Sequence, residues 1–132
     1  METPKLVKHK ILLVEDEPAI CGLCRRVLTA DEFELDIATN GRVAQNMIGQ
    51  NQYDLLLIDI RLPEMGGEEL YQWLHEKYPQ LAGRVIFTTG SVIGGDIQSF
   101  LEQTARPSLD KPFTPSELRA IVTETLRQTP EI

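Results

Sequence analysis

Short apolar runs of strand length recur along this chain and alternate with stretches of helical spacing. The runs lie at residues 11–14, 35–38, 55–58 and 85–87, with a shorter candidate at 108–110. Between them, apolar residues recur three and four positions apart, as in Leu70, Trp73 and Leu74. Apolar strands covered by helices on both faces are typical of parallel sheets. The pattern therefore predicts an α/β fold with a doubly wound, mostly parallel five-stranded sheet.

Length and composition are those of one soluble globular domain. The chain has 132 residues, of which 42% are hydrophobic and 25% charged. Its net charge of −7 argues against direct binding to nucleic acid or to an anionic membrane surface. No apolar run approaches the roughly 18 residues of a membrane span, and the N-terminus lacks the apolar core of a signal peptide. We expect a cytoplasmic domain at residues 10–128, between tails at 1–9 and 129–132.

The two cysteines, Cys21 and Cys24, form a C-x-x-C pattern at the start of a predicted helix. A redox motif is one interpretation. However, Cys24 lies inside the apolar stripe of this helix, and the acids at residues 15–17 should raise a nearby thiol pKa rather than lower it. The pattern therefore favours small core residues. Two cysteines, with histidines that lack ligand spacing, do not indicate a zinc site.

Polar residues follow four of the predicted strands. Glu15 and Asp16 come after the first strand, Asp59 after the third, Thr89 at the end of the fourth and Lys111 after the fifth. Carboxyl ends of parallel strands meet at one edge of the sheet, where ligands bind in such folds. Taken singly, an acid at a strand end is as typical of a helix cap. The convergence of all five residues favours a common site.

Carboxylates that share one edge repel each other and need a counter-charge. A small set of oxygen ligands suits Mg²⁺ (or Mn²⁺), which retains several waters and also binds phosphate oxygens. Lys111 adds a second positive charge and Thr89 a hydroxyl donor. Since Asp59 stands alone at its strand end, the residues predict magnesium-dependent phosphoryl transfer to Asp59.

Four segments resemble the receiver domains of response regulators in two-component phosphorelay systems. They are ILLVEDEP, YDLLLIDIRLPEMGGEEL, VIFTTGS and LDKPF, in the order and spacing of that family. The resemblance covers residues 10–127. It implies a flavodoxin-like fold with strand order 2-1-3-4-5 and five helices.

The resemblance also implies a role for each residue of the site. Asp59 matches the phosphoacceptor, Asp16 a direct metal ligand, and Glu15 an acid that contacts the metal through water. The remaining matches are the Arg61 carbonyl as a metal ligand, Thr89 as the hydroxyl that turns toward the phosphoryl group, Lys111 as its ion-pair partner, and Pro112 after a cis peptide bond.

A receiver takes its phosphoryl group from a histidine kinase or a phosphotransfer protein and changes a partner-binding surface. It catalyses only its own phosphorylation and dephosphorylation. The resemblance therefore implies a signalling domain rather than an enzyme, either alone or joined to an effector or kinase domain in a longer chain, without direct contact to nucleic acid or membrane.

The chain departs from the family pattern at Ser108, where Tyr or Phe is frequent. This pattern is similar to receivers attached to hybrid sensor kinases. A serine cannot replace the volume of a moving ring, so we expect coupling to rest on the glycine-containing loop at residues 89–95. Phosphorylation should then perturb residues 90–96 strongly and Ser108 little.

Two other classes of protein use related parts. An aspartyl-phosphate phosphatase or phosphotransferase would favour an acid two residues after the nucleophile, where this chain has Arg61, and a cap insertion for which the chain is short. A flavin-binding module would need a hydroxyl- and glycine-rich loop after the first strand. The acids at residues 15–17 are unfavourable for phosphate without a metal.

Overall fold

The structure, a computed structural model, describes residues 8–90 and 95–128. Within them, five strands form one parallel sheet in the order β2-β1-β3-β4-β5. The strands are β1 (Lys10–Val14), β2 (Glu34–Ala38), β3 (Leu55–Asp59), β4 (Val85–Thr89) and β5 (Ser108–Asp110). The predicted α/β class, strand number and strand order are confirmed.

The described residues form six helices rather than the predicted five. They are α1 (Pro18–Ala30), α2 (Gly41–Gln50), α3 (Gly67–Lys77), α4 (Pro79–Ala82), α5 (Gly95–Thr104) and α6 (Pro115–Gln128). The additional helix, α4, results from Pro79. A residue before proline is held out of the helical region, and Tyr78 accordingly has φ −135° and ψ 67°, which ends α3. Proline is then favourable at the first position of a new turn.

Each face of the sheet carries its own hydrophobic core. Leu12 and Val14 of β1 point toward α2, α3 and α5, whereas Ile11 and Leu13 point toward α1 and α6. The central strands are buried on both faces, as their continuous apolar sequence predicts. No helix in the described part of the chain is long and apolar enough to cross a membrane.

Side-chain hydrogen bonds cap the N-terminal ends of α2 and α6. The Asn40 side chain accepts a hydrogen bond from the Val43 N–H at 2.9 Å. Thr114 and Glu117 form a reciprocal capping box, in which each backbone N–H donates to the other side chain. Helix α6 begins at Pro115, shortly after the predicted site residue Lys111. The Lys111–Pro112 peptide bond is cis, which agrees with the resemblance.

An aromatic cluster packs α5 against the sheet. The rings of Tyr71, Phe87 and Phe100 have centroids 5.5–5.8 Å apart. Ser108 is exposed and pairs in register with Phe87. The predicted coupling loop at residues 89–95 falls mostly outside the described residues, as do most of the predicted tails at 1–9 and 129–132.

Candidate functional site

The register of the central strands brings two acids together. Val14 pairs with Ile58, so the residues that follow, Glu15 and Asp59, lie at the same edge. Both are buried, with 0% and 4% of their surfaces exposed. Carboxylates are seldom buried without partners, so their placement calls for an opposing charge.

Lys111 supplies that charge. Its Nζ atom lies 2.8 Å from Glu15 Oε1, 3.0 Å from Asp59 Oδ2 and 3.0 Å from Glu17 Oε1. The contacts to Asp59 and Glu17 are hydrogen bonds. The contact to Glu15 is the shortest of the three and is an ion pair. One ammonium therefore faces three carboxylates.

The pKa values of Glu15 and Lys111 are both raised, but by different causes. Burial raises the pKa of Glu15 to about 7, against the contact with Lys111 and with the help of the Asp59 charge. Burial alone would lower the pKa of Lys111, but the carboxylates of Glu15, Glu17 and Asp59 raise it above its usual range. Lys111 is therefore the fixed positive charge of the site.

The acids that converge differ from the predicted set in one member. Glu15, Glu17 and Asp59 each offer an oxygen within 4.8 Å of the others, whereas Asp16 is exposed and is outside this group. Glu17 is exposed as well, but it is the N-cap residue of α1, and its N–H donates to Glu15 Oε2 at 3.2 Å. The sequence signal for Glu17 was its position as the third consecutive acid after β1.

This donor set fits a hard divalent cation. All of its donors are carboxylate oxygens, and all three carboxylates share one ammonium, that of Lys111. Three carboxylates around one ammonium leave an excess of negative charge, and carboxylate oxygens are ligands that a hard divalent cation prefers. The residues present therefore agree with the Mg²⁺ (or Mn²⁺) that the sequence predicts.

The turn after β3 holds the second oxygen of Asp59. The Arg61 N–H donates to Asp59 Oδ1 at 3.0 Å, while Lys111 holds Oδ2. At the start of α3, the Gly67 N–H donates a hydrogen bond to the Ile60 carbonyl at 3.1 Å. Asp59 is consequently fixed at both oxygens. The Arg61 backbone lies beside the acceptor through its N–H, and the role of its carbonyl as a metal ligand stays a prediction.

Within the described part of the chain, the Thr89 hydroxyl forms no hydrogen bond with the Asp59 carboxylate. Its hydroxyl, in a residue only 1% exposed, donates to Asp110 Oδ1 at 2.9 Å. Thr89 and Asp110 are paired in register on β4 and β5. The structure therefore brings Glu15, Asp59, Arg61 and Lys111 together and directs Thr89 toward β5.

The cysteines lie close to the site without belonging to it. Cys24 is buried in the core between α1 and the sheet, and burial raises the pKa of its thiol to about 12. Burial, followed by the Glu15 charge, also raises the pKa of Cys21. Cys24 is therefore a core residue, as predicted, and Cys21 is half-buried at the edge of the same core.

A flavodoxin-like sheet with a lysine-paired aspartate at its carboxyl edge is the arrangement of receiver-type signalling domains. Residues 11–123 match the family model described as the response regulator receiver domain. The chain belongs to this family, and the resemblance read from its sequence is confirmed.

Curated relatives of the chain are response regulators and transcription regulators. Response regulator protein PilR of Pseudomonas aeruginosa is 33% identical over 120 residues, covering 91% of this chain and 26% of its own length. Transcriptional regulatory protein SrrA of Staphylococcus aureus is 31% identical over 123 residues, covering 93% of this chain and 50% of its own length. The chain thus spans half or less of the length of these relatives.

Solved structures give the same fold. A CheY-like response regulator receiver domain protein from Methanospirillum hungatei has a TM-score of 0.85 and 27% identity, covering 93% of this chain and 97% of that one. The signal receiver domain of a signal transduction histidine kinase from Syntrophus aciditrophicus has a TM-score of 0.81 and 26% identity, covering 94% and 96%. Receivers of both origins share this architecture.

Proposed function

We propose that the protein accepts a phosphoryl group on Asp59 from a histidine kinase or a phosphotransfer protein. The observation that carries this proposal is the hold on Asp59, whose Oδ2 contacts Lys111 Nζ and whose Oδ1 accepts from the Arg61 N–H, both at 3.0 Å. A buried carboxylate oriented in this way is a positioned nucleophile. The neighbouring acids supply a metal site rather than competing acceptors.

In the transfer, an Asp59 oxygen attacks phosphorus and forms a P–O bond. The P–N bond to the donor histidine breaks, and the ring nitrogen keeps the electron pair. Lys111 stays beside the new acyl phosphate and balances part of its charge. The Thr89 hydroxyl turns from Asp110 to a phosphoryl oxygen.

The proposed metal ligands are Glu15, Asp16, Asp59 and the Arg61 carbonyl, with Glu15 acting through water. A bound Mg²⁺ or Mn²⁺ would neutralise charge on the transferring phosphoryl group. Asp16 is exposed and unpaired with Lys111, so its carboxylate can serve a cation without giving up that lysine. Glu17, which the sequence prediction left out, adds to the negative field of the same edge.

The phosphorylated site is proposed to change a surface formed by α5, β5 and α6, in the manner of a switch. A longer chain with an effector or kinase domain is a matching context, since the relatives include transcription regulators and a receiver from a histidine kinase. The domain then acts as a cytoplasmic signalling module that processes only its own phosphoryl group.

The acceptor can be tested by incubating the chain with phosphoramidate and Mg²⁺ and measuring the intact mass. We expect one added phosphoryl group on the wild-type chain and none on Asp59→Asn. Asp54→Asn is a matched control, because Asp54 lies before β3 at the opposite edge of the sheet. Labelling of Asp59→Asn to the wild-type extent would show that another residue is the acceptor.

A further inference from the structure

We propose that Asp110 is a positioning residue that holds the Thr89 hydroxyl away from the acceptor until phosphorylation. This inference rests on the proposed function, because it concerns the hydroxyl assigned to the phosphoryl group. Nothing in the sequence singled out Asp110 for this role. Its evidence is the 2.9 Å hydrogen bond from Thr89 Oγ1 to Asp110 Oδ1.

The contact is built into the sheet. Thr89 and Asp110 are register partners on parallel strands, and the Lys111 N–H donates to the Thr89 carbonyl at 2.7 Å. Backbone pairing therefore fixes the distance between the hydroxyl and the carboxylate. Thr89 is only 1% exposed, so water hardly competes for its hydroxyl.

A hydroxyl group has a single proton to donate. Thr89 cannot donate to Asp110 and to a phosphoryl oxygen together, so the two contacts exclude each other. Lys111, in contrast, already touches Asp59. Lys111 is thus already in position for a phosphoryl group on Asp59, whereas the Thr89 hydroxyl is not.

The hold is also reversible. Asp110 is exposed, so its carboxylate can be hydrated once Thr89 leaves. Ser108, two residues before Asp110 on the same strand, is exposed as well and presents no ring that would oppose the movement sterically. In receivers with an aromatic switch, the movement of this hydroxyl residue is linked to a bulky side chain. In this chain, a hydrogen bond to Asp110 resists the movement of Thr89 instead.

The strength of the Thr89–Asp110 contact can be measured through the affinity of the intact chain, with Mg²⁺ present, for beryllofluoride, a mimic of the phosphoryl group. Asp110→Ala should bind it about tenfold more tightly, since a hydrogen bond to a charged acceptor no longer has to be broken. Asp110→Asn, which keeps an acceptor oxygen, should show a smaller gain. In a Thr89→Val background, Asp110→Ala should have no effect, because the hydroxyl is already absent.

The Thr89 side-chain rotamer gives a second measurement that requires no ligand. Three-bond couplings from the Thr89 methyl carbon to its backbone nitrogen and carbonyl carbon should report one rotamer in the wild type and averaging in Asp110→Ala. If Asp110→Ala increased the affinity equally in the wild type and in the Thr89→Val background, Asp110 would act only through its charge. That result would overturn its proposed role. Unchanged couplings would do the same.

Failure of the two proposals is distinguishable. If the wild-type chain binds beryllofluoride normally and Asp110→Ala gains nothing, only the role of Asp110 is wrong. If the wild-type chain neither binds beryllofluoride nor labels at Asp59, the proposed function is wrong, and the role of Asp110 falls with it.

Discussion

At the scale of single residues, the charge balance around Lys111 dominates the site. One ammonium is within 3.0 Å of oxygens from Glu15, Glu17 and Asp59. The exposed fraction of the Lys111 side chain is 11%, whereas that of Glu17 is 57%. Exposed ion pairs contribute little free energy, so the pair with Glu17 is the one that solvent can replace most easily.

This balance gives a prediction about the metal. Asp16→Ala should weaken Mg²⁺ binding by about tenfold or more, as expected for the loss of a group that ligates or supports the ion. Glu17→Ala should weaken it less, because Glu17 is paired with Lys111 and must leave it to reach the cation. Titration of both variants with Mg²⁺, followed by amide chemical shifts, measures the difference. A larger loss in Glu17→Ala would assign the ligand to Glu17.

Residue-scale features were predictable where the backbone determines them. Asp59 and Lys111 follow strands that belong to one parallel sheet, so their meeting follows from topology. The hydroxyl of Thr89 was different, because its direction depends on the Thr89 rotamer and on the Asp110 carboxylate of the neighbouring strand β5. Glu17 was missed because its position depends on the N-cap of α1.

At the scale of elements, the connection from β3 to α3 determines how Asp59 is held. A Cβ atom at Gly67 would lie 2.8 Å from both the Asp59 carbonyl oxygen and the Ile60 Cα. These are backbone atoms, which cannot move aside as the end of a flexible side chain can. The helix therefore approaches the acceptor strand closely only because this residue lacks a side chain.

We predict that Gly67→Ala lowers the free energy of unfolding by about 1–3 kcal/mol, as overpacking does, and slows labelling of Asp59. The matched control is Gly49→Ala in α2, where an added Cβ meets nothing within 4 Å. That variant should gain about 0.5–1 kcal/mol from helix propensity. Urea unfolding and the rate of labelling measure both effects. Wild-type stability and labelling in Gly67→Ala would contradict this account of the turn.

Elements with strong local signals were predicted, and the short helix α4 was not. The apolar runs correspond to the strands within one or two residues, the usual uncertainty of element ends. Four residues between Tyr78 and Gly83 carry too little apolar periodicity to indicate a helix. Its formation depends on Pro79 and on packing against α3.

At the scale of the whole molecule, two cores separated by one sheet carry the stability. The core between α1, α6 and the sheet contains Cys24, whose thiol pKa is raised to about 12 by burial. In the unfolded chain, a cysteine has a pKa of about 8.5. Folding therefore holds a proton that the unfolded chain releases at alkaline pH.

The sign of the pH dependence follows from linkage. Above a pH of about 8.5 the unfolded state binds fewer protons at this thiol than the folded state, so stability falls as pH rises toward 12. The slope due to Cys24 is at most about 1.4 kcal/mol per pH unit. Urea unfolding under reducing conditions should show a steeper decline for wild type than for Cys24→Ala between pH 8 and about 10. Parallel declines would assign the slope to other groups.

The global topology was the most predictable feature, because continuous apolar strands require cover on both faces and Leu12 and Ile11 belong to different cores. The order of the strands came from the resemblance and not from apolar patterns. Those patterns identify strands but contain no information about which strands are neighbours.

Burial of the central strands on both faces affects how the register between neighbouring strands is specified. In a half-buried sheet, a one-residue slip exposes apolar side chains and is penalised. Residues 11–14 and 55–58 are apolar at every position and fully buried, so a slip exchanges one apolar residue for another. The acids at the strand ends are the distinguishing marks, since a displaced Asp59 would lose Lys111 and become an unpaired buried charge. The carboxylates proposed for chemistry therefore also act as alignment markers during folding.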